Sequence, residues 1–507
     1  MTPPAVVETR AAKVALASGI SVALSIGLQI VSVPVCLRFW GEETYGLWLA
    51  LLALANVVRT LESGFNAYVG NELNLLYHVD TPALRKTLGS AAFGAAVVGA
   101  IELLAGALIV ASGALAPLLG VSEEVAREGR AGLALGLMLL GFVSTGPYLG
   151  VVNRLLIPAG MLHQGTWWFM ALQIAQTASL VVAAALELTL TEAAVFFSFA
   201  QAAVHLASAV YIAHKLPDFF PWWRRPSWTK GLRDLFRSTA MVGANLLTQA
   251  GTNGVVMLVS SGLGAAAVPA FTTVRTLANL WTQLGNVLLS PLLPEVVRYH
   301  ALHDARKLVA GLEAHWLIAN CVVNVSILAC LPFIDEAYRA WTAGRIELDR
   351  ALLSTLMLAV VVGSPASLIA LYLNGINDLR AVTTLYAVRG LVPLAVGIAL
   401  LPSLGVVGVG IGIVLGELFG PVLAGGLHFR KQLRRLGSSA IPRWQPAALG
   451  TSSAGAFLVW QAIRGPQLGI PYGAALVGVL ASIVWGWRGI SPEVRDRVLR
   501  LLRRRSA

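Results

Sequence analysis

Charge is scarce in this chain: only 12% of its 507 residues are Asp, Glu, Lys or Arg, against 57% apolar. Soluble domains carry about 25% charged residues, so the balance points to lipid as the surrounding solvent. Cysteine is nearly absent. Cys36, Cys321 and Cys330 supply no disulfide framework, and the last two lie too far apart along one expected helix to bridge. Lysine is rare as well, six residues against 31 arginines, an imbalance characteristic of GC-rich bacterial genomes. No alternating short strands mark a β-barrel. There is no P-loop, no HExxH, no GxSxG and no loop large enough for a catalytic domain, so the sequence reads as a non-enzyme without cofactor or metal. His300 and His303 stand without further ligands nearby.

What the chain has in quantity is apolar runs of about 18–25 residues, enough to cross about 30 Å of hydrocarbon as helices. The expected spans are 14–37, 45–77, 88–118, 131–157, 165–187, 192–214, 236–261, 267–297, 313–334, 351–375, 381–401, 405–429, 447–464 and 471–487. The fold class is therefore an all-α polytopic membrane protein of about fourteen helices. The second and eighth runs are too long for simple spans, and kinks are expected at Gly64 and at Pro291 to Pro294. With the N-terminus inside, cytoplasmic segments hold 27 of the 37 Lys and Arg residues. The outer loops instead carry Glu42, Glu43, Glu123, Glu124, Asp335 and Glu336. This places both termini in the cytoplasm and the protein in a bacterial inner membrane. It also turns the net charge of +12 toward topology and away from nucleic acid. The apolar run after Arg10 and Lys13 is too long for a signal-peptide core and reads as a retained first helix.

Two halves look related. Tyr77-His78 and Arg85-Lys86 recur as Tyr299-His300 and Arg306-Lys307, and Gly41 before helix two corresponds to Gly264 before helix eight. The expected organisation is a six-helix bundle over 1–215, a basic linker over 216–235, a second six-helix bundle over 236–430, and two extra helices with a basic tail over 431–507. A parallel duplication of this kind is a transporter feature. In the linker, Pro221-Trp222-Trp223-Arg224-Arg225-Pro226 suits either an interfacial segment against anionic lipid or an ordinary basic connection.

Short stretches of residues 10–435 resemble a known family. Trp40-Gly41-Glu42-Glu43-Thr44-Tyr45-Gly46-Leu47-Trp48 is similar to its turn between the first two helices. Leu61-Glu62-Ser63-Gly64-Phe65 resembles its Leu-Asp-x-Gly element, with Glu62 in place of Asp. Ser290-Pro291-Leu292-Leu293-Pro294 and Gly416-Glu417-Leu418 fit its helices eight and twelve. The family is the polysaccharide-flippase branch, O-antigen or Wzx-type, of the multidrug/oligosaccharidyl-lipid/polysaccharide (MOP) exporter superfamily. Helix seven departs from it, with Asn253 where the family often has Asp. The resemblance implies a V-shaped pair of bundles, alternating access, and an undecaprenyl-pyrophosphate-linked oligosaccharide as substrate. Membrane lipids and other polysaccharide-assembly proteins are the expected partners. Lipid II-type and multidrug transporters of the superfamily are alternatives; a membrane glycosyltransferase or polymerase is the alternative from another class.

Polar side chains inside a helical bundle are costly unless they meet one another, water or substrate, and so mark candidate sites. Arg59, Glu62 and Asn66 share one face of helix two. Arg59 is either a phosphate anchor, with Glu62 orienting it or taking a coupling proton, or half of a structural ion pair. Asn245, Gln249 and Asn253 form a stripe on helix seven able to bond sugar hydroxyls or neighbouring helices. Arg275 on helix eight has no acidic residue at i±3 or i±4 and is expected to face a water-filled cavity or a carboxylate on another helix; among the single residues it is the leading candidate for contact with an anionic substrate. Arg389 and Glu417 are expected to pair, as structure or as coupling site. Glu102 reads as a local bundle contact and Gln29 as a residue of the cavity wall. The driving ion, H+ or Na+, is open. Gly408, Gly410, Gly412, Gly416 and Gly420 read as a helix-packing surface, not a nucleotide loop.

Overall fold

The computed structural model describes residues 4–77, 79–128, 130–224, 226–289, 292–376, 378–438, 442–465 and 467–489. His78, Arg225, Ser290, Pro291 and the basic tail from 490 onward lie outside the described residues.

The described residues contain helices and no strand, as the bilayer requires of a chain that must satisfy its backbone internally. In chain order the first helices are α1 (Pro4–Phe39), α2 (Gly41–Val58), α3 (Thr60–Leu76), α4 (Thr81–Ala111), α5 (Leu115–Leu119) and α6 (Glu123–Glu128). Next come α7 (Ala131–Asn153), α8 (Leu162–Ala185), α9 (Leu190–Lys215), α10 (Trp228–Gln249) and α11 (Val255–Leu263). They are followed by α12 (Ala267–Leu289), α13 (Leu292–Ala301), α14 (Ala305–Ile318), α15 (Val325–Cys330), α16 (Ile334–Trp341) and α17 (Arg350–Gly363). The chain closes with α18 (Ser367–Gly375), α19 (Leu379–Leu404), α20 (Val406–Glu417), α21 (Gly425–Arg435), α22 (Gln445–Arg464) and α23 (Gly469–Gly489).

Ten described helices are long and apolar enough to cross a membrane, and the bent pair α2–α3 brings the number to eleven. The remaining expected spans coincide with α10–α11, α12 and α22. These helices are more polar, with Asn245, Gln249 and Asn253 in the first, Arg275 in the second and Gln461 in the third. Contacts divide the chain into two compact units, Met1–Ala270 with Trp341–Ile346, and Phe271–Ala340 with Glu347–Ala507. In sequence order helix seven (α10–α11) opens the second half; in packing it lies with the first unit. Gly64 explains why. A Cβ there would sit 2.6 Å from the Val242 backbone N and Cα, so α3 and α10 meet backbone to backbone.

The kink of helix two is not at Gly64, as the sequence suggested. It falls at Arg59, where α2 and α3 meet at 44°. Gly64 instead serves the helix crossing. The expected break of helix eight at Pro291 to Pro294 falls partly outside the described residues; Pro294 sits inside the first turn of α13.

The duplication also takes a different register from the Arg-Lys pairs. Asp80 caps α4 by accepting the N–H of Ala83, and Asp304 caps α14 by accepting that of Lys307. Leu84 and Leu88 then enter one core with Phe65, Val69 and Leu73, while Leu308 and Leu312 enter the other with Tyr372, Phe429 and Leu433. All three positions recur 224 residues later. The Arg-Lys repeats are three residues out of this frame, because capping and burial fix the helix start and exposed charges do not. Gly41 and Gly264 both adopt positive φ, +74° and +90°, at the turns before helices two and eight.

The linker is anchored in the first unit. Trp222 is buried in the first core, Trp223 is exposed, and Arg85 donates to the Asp218 carbonyl at 2.7 Å. The glycine run of α20 packs on α19: a Cβ at Gly412 would meet the Pro393 carbonyl at 2.8 Å, and one at Gly416 the Pro393 ring.

Candidate functional site

The first unit buries a charged cluster where helix two breaks. The chain leaves α2 at Arg59 and re-enters a helix at Thr60, so the first N–H groups of α3 need acceptors. Glu102 of α4, fully buried, supplies one: its Oε1 accepts the backbone N–H of Glu62 at 2.9 Å. The Glu62 side chain turns the other way, toward Arg59, whose Nη2 lies 3.4 Å from Glu62 Oε1. The Arg59 guanidinium also stacks 4.1 Å above the Phe142 ring of α7, a cation–π contact. Glycine makes the space. A Cβ at Gly146 would fall 2.7 Å from the Glu62 carboxylate, and one at Gly150 would fall 2.3 Å from Asn66 Nδ2.

This cluster holds two carboxylates and one guanidinium. Glu62 Oε2, Glu102 Oε2 and Asn66 Oδ1 are all buried acceptors without a hydrogen-bond partner. The Arg59 side chain keeps 27% of its surface exposed, whereas that of Glu62 keeps 7%. The arrangement can therefore present a guanidinium outward while its acidic partners stay in the bundle.

Helix seven's amides belong to the same unit. Asn245 Nδ2 donates to Ser63 Oγ at 3.0 Å, Gln249 Oε1 accepts from Asn253 Nδ2, and all three amides are half-buried. A π turn at Ala250–Gly254 begins directly after Gln249 and contains Asn253, so the stripe is not a continuous α-helical row. π turns are frequent at functional sites. Two more occur at Ala319–Asn324 and Leu418–Ala424, the latter directly after Glu417.

The second unit holds the other expected residues. Arg275 lies on α12 with its guanidinium 6.0 Å from the Phe271 ring centroid. Thr273, on the same helix, shares a 2.7 Å hydrogen bond with Tyr338. Arg389 of α19 donates through Nε to Glu417 Oε1 at 2.8 Å, and Nη2 reaches the same oxygen. Glu417 Oε2 is buried without a partner, and Gly363 would place a Cβ 2.5 Å from it. Arg59, Glu62 and Asn66 are thus brought together with one another, and Arg389 with Glu417.

Sequence reasoning undervalued Glu102 and missed Phe142 and the π turns. Glu102 is an acid in an apolar run, which was the available signal; its partner is a backbone N–H exposed by a break that the sequence placed elsewhere.

Solved structures share this architecture. A lipid II flippase, MurJ, in an inward closed conformation superposes with a TM-score of 0.62 at 11% identity, covering 92% of this chain and 97% of that one. A multidrug resistance MATE family transporter of the MOP superfamily, inward-facing, gives 0.56 at 12% identity over 84% of this chain and 100% of that one. The chain has the polytopic helical fold of these MATE and MurJ structures. A MATE transporter from Vibrio cholerae gives 0.57 at 14% identity, covering 84% and 98%. No protein-family model matches the sequence, and no curated protein matches it either. These neighbours are named as transporters and a flippase.

Proposed function

We propose that this protein is a flippase that moves an undecaprenyl-pyrophosphate-linked oligosaccharide from the cytoplasmic to the periplasmic leaflet of a bacterial inner membrane, by alternating access, for surface polysaccharide assembly. The observation that carries the reading is the cluster at the break of helix two: a partly exposed guanidinium, Arg59, held by a buried acid inside a MOP fold. A sugar-phosphate head crossing hydrocarbon needs a cation for its phosphates and amides for its hydroxyls. Within the first unit Arg59 would supply the first and Asn66, Asn245, Gln249 and Asn253 the second; Arg275, in the second unit, is a separate candidate cation. The lipid II flippase match extends over more of this chain than the MATE matches do, which favours a lipid-linked cargo over a soluble drug.

The excess acid in the cluster suits ion coupling. Two carboxylates to one guanidinium leave a negative charge that a proton or sodium ion would neutralise, and Glu62 and Glu102 would take it. No nucleotide site is needed if the ion gradient or membrane potential drives the step, since one charge across 100 mV is worth about 2.3 kcal/mol.

The test is a deletion strain. Lipid-linked oligosaccharide should accumulate on the cytoplasmic leaflet and surface glycan should fall, both restored by the wild-type gene. Normal surface glycan without accumulation would remove the proposal.

A further inference from the structure

We propose that the second unit carries a binding site for a zwitterionic glycerophospholipid, one whose headgroup joins a phosphate to a primary ammonium. The site is a cavity of about 370 Å³ between α14, the start of α22 and the end of α23, a volume at the lower end of the ~300–1,000 Å³ typical of ligand pockets. It is separate from every polar residue assigned to transport above.

Two opposite charges line it without neutralising each other. Arg443 donates through Nη1 to the carbonyl of Gly489, the last residue of α23, at 2.8 Å. Its backbone N–H donates to Glu313 Oε1 at 2.8 Å. The guanidinium and the carboxylate form no ion pair with each other, nor with any other described residue. One cavity thus offers a guanidinium to a phosphate and a carboxylate to an ammonium, the complement of a zwitterion and not of a simple anion.

The remaining walls place this pair at headgroup level. Trp316 and Trp485 line the cavity, and Trp485 is half exposed. Aromatic residues of this kind mark the membrane–water boundary. Trp316 is fixed by its Nε1–H, which donates to the Pro365 carbonyl at 3.0 Å. The floor is polar and buried: Asn320 is 3% and Ser482 1% exposed. Glycine at position 450 lets the helices close around that floor, since a Cβ there would meet Asn320 Oδ1 at 2.3 Å and Ser482 Oγ at 2.5 Å. A headgroup can therefore enter while its acyl chains remain in the bilayer beside α23.

Native mass spectrometry of the purified full chain tests this with phosphatidylethanolamine, phosphatidylglycerol, phosphatidylcholine and diacylglycerol in competition. The wild type should retain phosphatidylethanolamine roughly tenfold over phosphatidylglycerol, the scale of one charge-assisted hydrogen bond. Glu313→Gln should erase that preference while phosphatidylglycerol stays bound. Arg443→Gln should erase the preference for phospholipid over diacylglycerol. Equal retention of all phospholipids by the wild type, or a stronger retention of phosphatidylglycerol, overturns the proposal even if a variant fails to fold. Unchanged preferences in both folded variants overturn it as well.

Discussion

Glu102 Oε1 accepts the backbone N–H of Glu62 at 2.9 Å, so a carboxylate of α4 caps the first turn of α3. Two roles are separable there, acceptor and charge. Glu102→Ala should destabilise the protein by about 1–3 kcal/mol, the cost of a buried N–H left without a partner. Glu102→Gln keeps an acceptor and should retain most of that stability while removing the charge. If the excess acid couples an ion, the Gln variant should melt near the wild type in detergent yet fail to support export. Export at wild-type level by the Gln variant would reduce Glu102 to a cap.

The crossing of α3 and α10 leads to a steric prediction. Gly64→Ala should lower thermal stability by roughly 1–3 kcal/mol, because its Cβ meets the Val242 main chain and not only its side chain. Val242→Ala should therefore fail to rescue it. Rescue would show that only the Val242 methyl groups were in the way.

Arg389 and Glu417 allow a double-mutant cycle. Arg389→Ala leaves a largely buried carboxylate against Gly363, but the Arg389 side chain is 41% exposed, so solvent screening limits the loss to about 1–2 kcal/mol. Removing both side chains should cost less than the two single losses combined. Strict additivity would show that the pair is energetically silent.

Outside the spans, His300 provides a pH handle. Its Nδ1 shares a 2.7 Å hydrogen bond with the Tyr372 hydroxyl, and burial, reinforced by neighbouring His303, holds its imidazole below the ordinary value of 6.5. The folded protein then binds this proton less readily than the unfolded chain. Stability attributable to His300 is present above the ordinary value and falls as pH drops through about 6.5. The melting temperature should decline between pH 7.5 and 5.5, and His300→Asn should flatten that part of the profile. An unchanged slope in the variant would assign the acid sensitivity to other groups.

Much of the architecture was legible because hydrocarbon imposes a simple rule on the chain. Long apolar runs became helices, and the glycines of α20 became a packing face against Pro393. The candidate site was legible in part. Spacing alone put Arg59, Glu62 and Asn66 on one face, since helix geometry is local. What escaped depends on contacts distant in sequence. Glu102 meets Glu62 only because helix two breaks at Arg59, and Phe142 lies across on α7. The break itself was misplaced at Gly64, whose lack of a side chain serves Val242 and not a kink. The π turn that follows Gln249 and contains Asn253 likewise leaves no periodic trace in an otherwise helical run.

The most direct measurement is translocation by the purified protein in liposomes loaded with labelled undecaprenyl-pyrophosphate-linked oligosaccharide. The fraction of head groups reaching an impermeant reagent is followed over time. The account predicts fast exposure with the wild type and at least roughly tenfold slower exposure with Arg59→Gln, equivalent to about 1.4 kcal/mol in the barrier. Exposure at the rate of protein-free liposomes, or equal rates for wild type and a folded Arg59→Gln, would contradict it.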